Sequence, residues 1–195
     1  MYSMKTTIRK RTYQAIYRLL NSVTPLESDC GLLCDSACCQ SSEDNMGIYL
    51  LPGEEKLFTR QELWLKWEIE NAENFDFPDS WYGKIYFIRC TNAPLCPRNQ
   101  RPLQCRFFPL APHINNNGKL VLILYSAKLP YVCPLIDKHI PLDTSYIKAV
   151  YTAWDRLIQD PLIYDLVLYD SNHRDEDAVE IVYPACIEAL IYPIA

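Results

Sequence analysis

Between residues 30 and 39 the chain reads CGLLCDSACC, which places Cys30, Cys34, Cys38 and Cys39 within ten residues. Packing does not call for this density. A buried free cysteine behaves as a small hydrophobe, and alanine or valine would fill the same space. Several thiols at short, fixed spacing serve a metal centre, an iron–sulfur cluster or a set of disulfides.

The run does not stand alone. The chain has nine cysteines, and Cys90, Cys96, Cys105 and Cys133 follow downstream. Cys186 lies apart in an apolar stretch and reads as a core residue. The first run has C-x3-C-x3-CC spacing. On a helix this brings Cys30, Cys34 and Cys38 near one face, since residues four apart are neighbours. In a loop the short gaps still let several sulfurs converge. Cys38 and Cys39 are adjacent, so their side chains point in different directions. That suits two centres sharing the pair, or one polynuclear cluster, better than a single mononuclear ion. The downstream group sits in a segment stiffened by Pro94, Pro97 and Pro102, which lowers the entropy cost of holding ligands in place. The gaps match neither a zinc ribbon nor a ferredoxin run. Taken together, Cys30, Cys34, Cys38, Cys39, Cys90, Cys96, Cys105 and Cys133 are expected to be metal ligands. The bound species would be zinc, iron or an iron–sulfur cluster such as 4Fe-4S. Disulfides and thiol-redox chemistry are the competing uses of the same residues.

The chain does not need metal merely to fold. With 195 residues, 49% of them hydrophobic, it can bury a sizeable core. Its longest apolar run, LVLILY at residues 120–125, is far shorter than the ~20 residues of a membrane span. The basic N-terminal segment has no apolar stretch of the secretory kind. The expectation is therefore a cytoplasmic protein with no membrane partner, in which thiols stay reduced.

Charge is unevenly distributed. The net charge is −5, yet residues 80–136 contain no Asp or Glu and carry Lys84, Arg89, Arg98, Arg101, Arg106, Lys119 and Lys128. Metal-bound thiolates leave negative charge that needs compensation, and arginines beside Cys96 and Cys105 can supply it while lowering thiol pKa values. An ordinary basic surface is the plainer account. Nucleic acid is not an expected partner of an acidic chain with no binding motif.

Periodicity predicts an amphipathic helix over residues 6–22, a short strand over 46–51, and helical structure from Glu54, resuming over 61–69. A turn-rich connection follows, then strands over 84–89 and 119–125. Residues 90–118, rich in proline, predict irregular structure. Helices are expected over 144–159 and from Pro161 to about Tyr169, and the tail from Val179 is apolar and partly helical. This amounts to a single α+β domain spanning 1–195, mainly helical with a few short strands. An irregular cysteine-rich metal-binding centre would occupy residues 30–135. His113 and His139 are candidate extra ligands, although a lone loop histidine is more often solvated. Asp35 is a candidate donor or a turn cap. The acidic group Asp170, Asp175, Glu176 and Asp177 lacks calcium-loop spacing and reads as a solvated face.

The motifs also resemble a family. CGLLCDSACC, then GIYLLPGEE, then Cys90 and Cys96, then RPLQCRFFPL are similar to the cysteine-cluster proteins described as zinc- or iron-chelating. Their pattern is a cysteine run ending in CC followed by RPxxCRxFP, here Arg101-Pro102, Cys105-Arg106 and Phe108-Pro109. The resemblance covers roughly residues 30–135 and implies chelation by Cys30, Cys34, Cys38, Cys39, Cys90, Cys96 and Cys105, with Cys133 completing the set. A flagellin lysine methylase with an iron–sulfur cluster carries a similar cysteine region. The expected function is metal binding, with an iron–sulfur redox or protein-modifying enzyme and a thiol redox sensor as alternatives.

Overall fold

The computed structural model describes residues 5–40, 47–92, 95–175 and 179–183. The N-terminal amphipathic segment forms helix α1 (Lys10–Asn21), whose buried residues Tyr13, Ile16, Tyr17 and Leu20 make one apolar stripe. Two further long helices lie towards the other end. Helix α5 (Thr144–Leu157) is capped by Asp143, which accepts from the Tyr146 N–H at 3.0 Å. Helix α6 (Pro161–Asn172) opens on proline, whose fixed φ suits a first helical turn. Its cap, Asp160, is buried and does two jobs. One carboxylate oxygen accepts from Leu162 N at 3.1 Å. The other accepts from Thr7 N at 2.6 Å and from the hydroxyls of Thr6 and Thr7 at 2.9 and 2.8 Å. The segment entering α1 is thereby fixed to the start of α6.

Two three-stranded antiparallel sheets complete the frame. One contains β1 (Ile48–Tyr49), β2 (Leu65–Asn71) and β3 (Lys84–Cys90) in the order β1-β3-β2. The other contains β4 (Leu110–Ile114), β5 (Leu120–Leu124) and β6 (Ile181–Tyr183) in the order β4-β5-β6. All five residues of β5 are buried, as expected of a central strand. Three short helices carry or flank cysteines: α2 (Ala37–Gln40), α3 (Leu103–Phe107) and α4 (Pro134–Asp137). One buried cluster joins Tyr13 of α1, Leu103 of α3, Leu122 of β5, Val150 of α5 and Ile163 of α6.

This architecture corrects the expectation of a mainly helical fold. The chain is a mixed α/β structure in which two antiparallel sheets share the core with the helices. The helix expected over 61–69 is the strand β2. Trp64 and Trp67 fall at helical spacing, but β2 pairs along its whole length with β3, from Leu65 opposite Cys90 to Asn71 opposite Lys84. Tertiary pairing overrides a short ambiguous pattern there. The stretch expected to be irregular contains α3 and β4. Pro112 hid the strand; it is tolerated because β4 is an edge of its sheet, where a missing N–H costs little. Residues 41–46, 93–94 with Pro94, 176–178 with Glu176 and Asp177, and the tail beyond Tyr183 with Cys186 lie outside the described residues. Among the described residues no helix is long and apolar enough to cross a membrane.

The turn after β1 carries the most deeply enclosed charge. Gly53 sits at φ +92°, and a Cβ there would lie 2.8 Å from the Thr6 methyl, so the turn requires glycine. The next residue, Glu54, is fully buried. Its carboxylate accepts from the Tyr17 hydroxyl at 2.6 Å, Leu103 N at 2.9 Å and Leu51 N at 3.1 Å. Burial pushes its pKa up, while these three donors pull it down. Because the folded pKa is raised, Glu54 stabilises fully below the ordinary carboxyl range, and its contribution declines as pH rises through the raised value. Glu54→Ala would leave three buried donors unsatisfied at about 1–3 kcal/mol each. A large fall in melting temperature is expected, and an unchanged one would show that the frame does not depend on this residue. Glu54→Gln should flatten the decline in stability with rising pH.

Candidate functional site

The first cysteine run is two short turns joined by a reversal. The Asp29 side chain caps the opening by accepting from Gly31 N at 3.0 Å, and Cys30–Leu33 form a 3-10 turn. Asp35 and Ser36 then adopt left-handed conformations, with φ of 49° and 58°, before α2 begins. Aspartate tolerates that region better than most residues. Ser36 N donates to the Gly31 carbonyl at 2.9 Å. A Cβ on Gly31 would lie 2.5 Å from the Ser36 hydroxyl, so a larger residue there would require that side chain to turn away. The run is therefore not one helix, and Cys30, Cys34 and Cys38 do not share a helical face.

The other thiols come from the frame. Cys90 is the last residue of β3, Cys96 lies in the loop that follows, and Cys105 is on α3. Cys133 precedes α4, where its N–H donates to Asp137 Oδ2 at 2.8 Å. All eight are unbridged. Cys30, Cys38, Cys39, Cys90, Cys96 and Cys105 line one cavity of about 930 Å3. Cys34 and Cys133 lie outside that lining, and Cys133 is buried.

Electrostatic influence divides the thiols into two neighbourhoods. After burial, the leading cause for each of these two thiols, the Cys30 thiol is raised by Asp29 and then by Cys133 and Cys34, and the Cys133 thiol is pulled down by the Leu135 and Ile136 N–H groups and raised by Cys34. Cys38 responds first to Cys39 and, more weakly, to Cys30 and Cys34. In the second neighbourhood, burial comes first again. Cys90 is then pulled down by the Asn92 N–H and raised by Cys96 and Cys39, and Cys105 is raised by Cys39, Cys96 and Cys90 and lowered by Arg101. Cys105 is accessible from the cavity, yet enough protein surrounds it that its thiol is pushed well above the ordinary range.

The two neighbourhoods meet at the adjacent pair, where Cys38 Sγ and Cys39 Sγ are 3.9 Å apart. The pair titrates as a unit. A hydrogen bond from Cys38, opposed by burial and helped by the Arg101 guanidinium, holds the Cys39 pKa down at about 6. The same bond holds the Cys38 proton well above the usual range.

The arginines of the acid-free stretch have separate tasks. Arg101 Nε donates to Cys96 Sγ at 3.0 Å and is the thiol's cationic partner. Arg98 and Arg106 instead reach back to the N-terminal segment. Arg98 donates to the Val23 carbonyl at 2.7 Å; Arg106 donates to Asn21 Oδ1 at 2.7 Å and stacks on the Tyr17 ring. Arg89 pairs with Glu68 at 3.2 Å. The histidines are elsewhere. His139 faces Glu180 at 3.1 Å, and His113 lies 3.4 Å from Arg174.

The metal-binding centre written into the expected fold also needs correcting. Among the described residues, no three His, Cys, Asp or Glu side chains come close enough to hold one metal ion. The sulfurs surround a cleft instead of meeting at a point. Cys90, Cys105 and Cys133 are set by strand pairing, the Glu54 contact and a helix start, and these fix backbone positions without bringing the sulfurs together. The donor chemistry itself, unbridged thiols with a guanidinium beside them, fits soft or borderline metals.

A reactivity order follows for reduced, metal-free protein. At pH 7 iodoacetamide should modify Cys39 before Cys38 and Cys105, because the thiolate is the nucleophile. The Cys39 rate should fall as pH drops through about 6. Arg101→Gln should slow it at neutral pH. Peptide mass spectrometry reads the order; Cys105 reacting first would contradict this account of the cleft.

Compared with known proteins, the chain matches no protein-family model, no curated protein sequence and no solved structure.

Proposed function

We propose that the chain binds metal through two four-thiolate sets. One set is Cys30, Cys34, Cys38 and Cys133; the other is Cys39, Cys90, Cys96 and Cys105. Each would take zinc, iron or a 4Fe-4S cluster. The observation that carries this reading is the division of eight unbridged thiols into two neighbourhoods that part between Cys38 and Cys39. The two sulfurs touch, but adjacent residues can turn to opposite sides, so one residue can serve each set. The resemblance of the CGLLCDSACC and RPLQCRFFPL segments to zinc- or iron-chelating cysteine-cluster proteins supports the same reading.

Binding in this scheme draws in loops whose sulfurs are not yet gathered, so metal affinity and local ordering are coupled, and thiol protons are released. The metal cross-links the first cysteine run to the 90–105 segment and to the start of α4. Arg101 offsets thiolate charge at the second set. Chemistry of this kind belongs to a reducing compartment, and we place the protein in the cytoplasm.

A second reading, a thiol redox sensor, has one observation of its own: the close pair with a lowered Cys39 pKa. Peroxide would oxidise the Cys39 thiolate to a sulfenic acid with loss of hydroxide. The Cys38 thiol would then displace water to form a disulfide.

Metal analysis of anaerobically purified protein separates the two. The proposal expects one centre per set, with broad visible absorption if iron–sulfur and none if zinc. Cys133→Ser should empty the first set and leave the second; Cys105→Ser should do the reverse. Metal-free protein in which all thiols titrate would overturn the proposal in favour of the sensor. Loss of both centres in either variant would overturn the two-set division.

A further inference from the structure

The cavity that holds six of the thiols is also lined by polar side chains that metal binding does not use: Tyr49, Tyr125, Asp170 and Arg174. They come from four places in the chain. Tyr49 is on β1, Tyr125 follows β5, Asp170 is in the last turn of α6, and Arg174 lies just beyond it. Asp170, read from the sequence as part of a solvated acidic face, is in fact half-buried. The four groups act on one another electrostatically. Asp170 and Tyr125 influence Tyr49, and Asp170 and Arg174 influence Tyr125.

Their hydrogen bonding is incomplete. Arg174 is anchored through Nη1 alone, which donates to the Pro112 carbonyl at 2.9 Å and lies 3.4 Å from His113 Nδ1 and 3.5 Å from Ser171 Oγ. Among the described residues, Nε and Nη2 of Arg174 have no acceptor, the Asp170 carboxylate has no donor, and the Tyr49 and Tyr125 hydroxyls have no partner. Asp170 lies in the last turn of α6 and Arg174 two residues past its end, and both line the cavity. Among the described residues they form no salt bridge, and the guanidinium donates to the Pro112 carbonyl instead. Burial raises the Asp170 pKa and lowers that of Arg174, so both charges are only partly solvated, and a ligand in the cavity can supply what water does not.

We propose that this part of the cavity binds a small zwitterion of the free amino acid class, its carboxylate on the free edge of Arg174 and its ammonium on Asp170. A guanidinium presents paired N–H donors to a carboxylate, and a carboxylate accepts from an ammonium. The opposite charges together discriminate against simpler ions. A bare anion meets Asp170 and a bare amine meets Arg174, each a repulsive contact. At about 930 Å3 the cavity lies within the size range of small-molecule sites. Val167 and Leu166 in its wall suit an apolar ligand side chain. The inference does not depend on metal binding.

L-leucine, leucinamide and 4-methylpentanoate, titrated calorimetrically into the full chain, provide the test. The two analogues lack the carboxylate and the ammonium, respectively. Leucine should bind saturably, and each analogue about tenfold or more weakly, since each forfeits a charged hydrogen bond. Arg174→Gln should erase the preference for leucine over leucinamide, and Asp170→Asn the preference over 4-methylpentanoate. Should either variant fail to fold, the analogue series on the unaltered chain decides alone. Analogues binding as well as leucine would overturn the proposal. So would the absence of saturable binding by any standard amino acid at about 10 mM, where a ligand of useful affinity would measurably stabilise the fold.

Discussion

Glu54 is the contact on which the arrangement of the cysteine-bearing segments depends. A carboxylate with no access to solvent is costly unless its oxygens are occupied. Here they are occupied by α1 through Tyr17, by the turn after β1 through Leu51, and by the start of α3 through Leu103. Helix α3 carries Cys105, so the position of that thiol is decided by the helix's backbone contact with Glu54. Two further bonds hold the same helix. Gln104 Nε2 donates to the Tyr49 carbonyl at 2.7 Å, and the Tyr146 hydroxyl donates to the Phe107 carbonyl at 2.5 Å. A five-residue helix has little stability of its own; α3 exists because three distant segments grip it.

From this frame the cleft acquires its chemistry. Cys105 on α3 and Cys90 at the end of β3 are fixed walls, whereas Cys30 to Cys39 arrive on a pair of short turns joined by left-handed residues. The contrast is between a half tied to distant segments and a half held by its own local turn hydrogen bonds. It suits a site in which metal binding supplies the cross-links that the local turns lack. Arg101 stands on the half tied to distant segments, in the loop before α3, with its Nε already on Cys96. Its charge is in place before thiolates accumulate. The same electrostatics give the Cys38–Cys39 pair its unequal protons.

The sequence was legible where one signal dominated. Helices α1, α5 and α6 follow from their apolar spacing, their caps and Pro161, and β3 and β5 from short apolar runs. The cysteine spacing pointed to one shared site, and six of the eight thiols line one cavity while Cys34 and Cys133 do not. Other features depend on partners far along the chain. Residues 65–71 are a strand because β3 lies beside them, and 110–114 are a strand because an edge tolerates Pro112. Nothing local marks Glu54 as buried in the charged sequence GEEK, or Asp170 as facing a cavity instead of water. The left-handed Asp35-Ser36 pair breaks what spacing alone presents as a helix.

The central claim is that these thiols, and no nitrogen or oxygen donors, form the metal shell. X-ray absorption spectroscopy of metal-loaded protein tests it most directly. The account predicts a first shell of sulfur only, four per metal, at about 2.3 Å for zinc. A shell containing histidine nitrogen or carboxylate oxygen would contradict it.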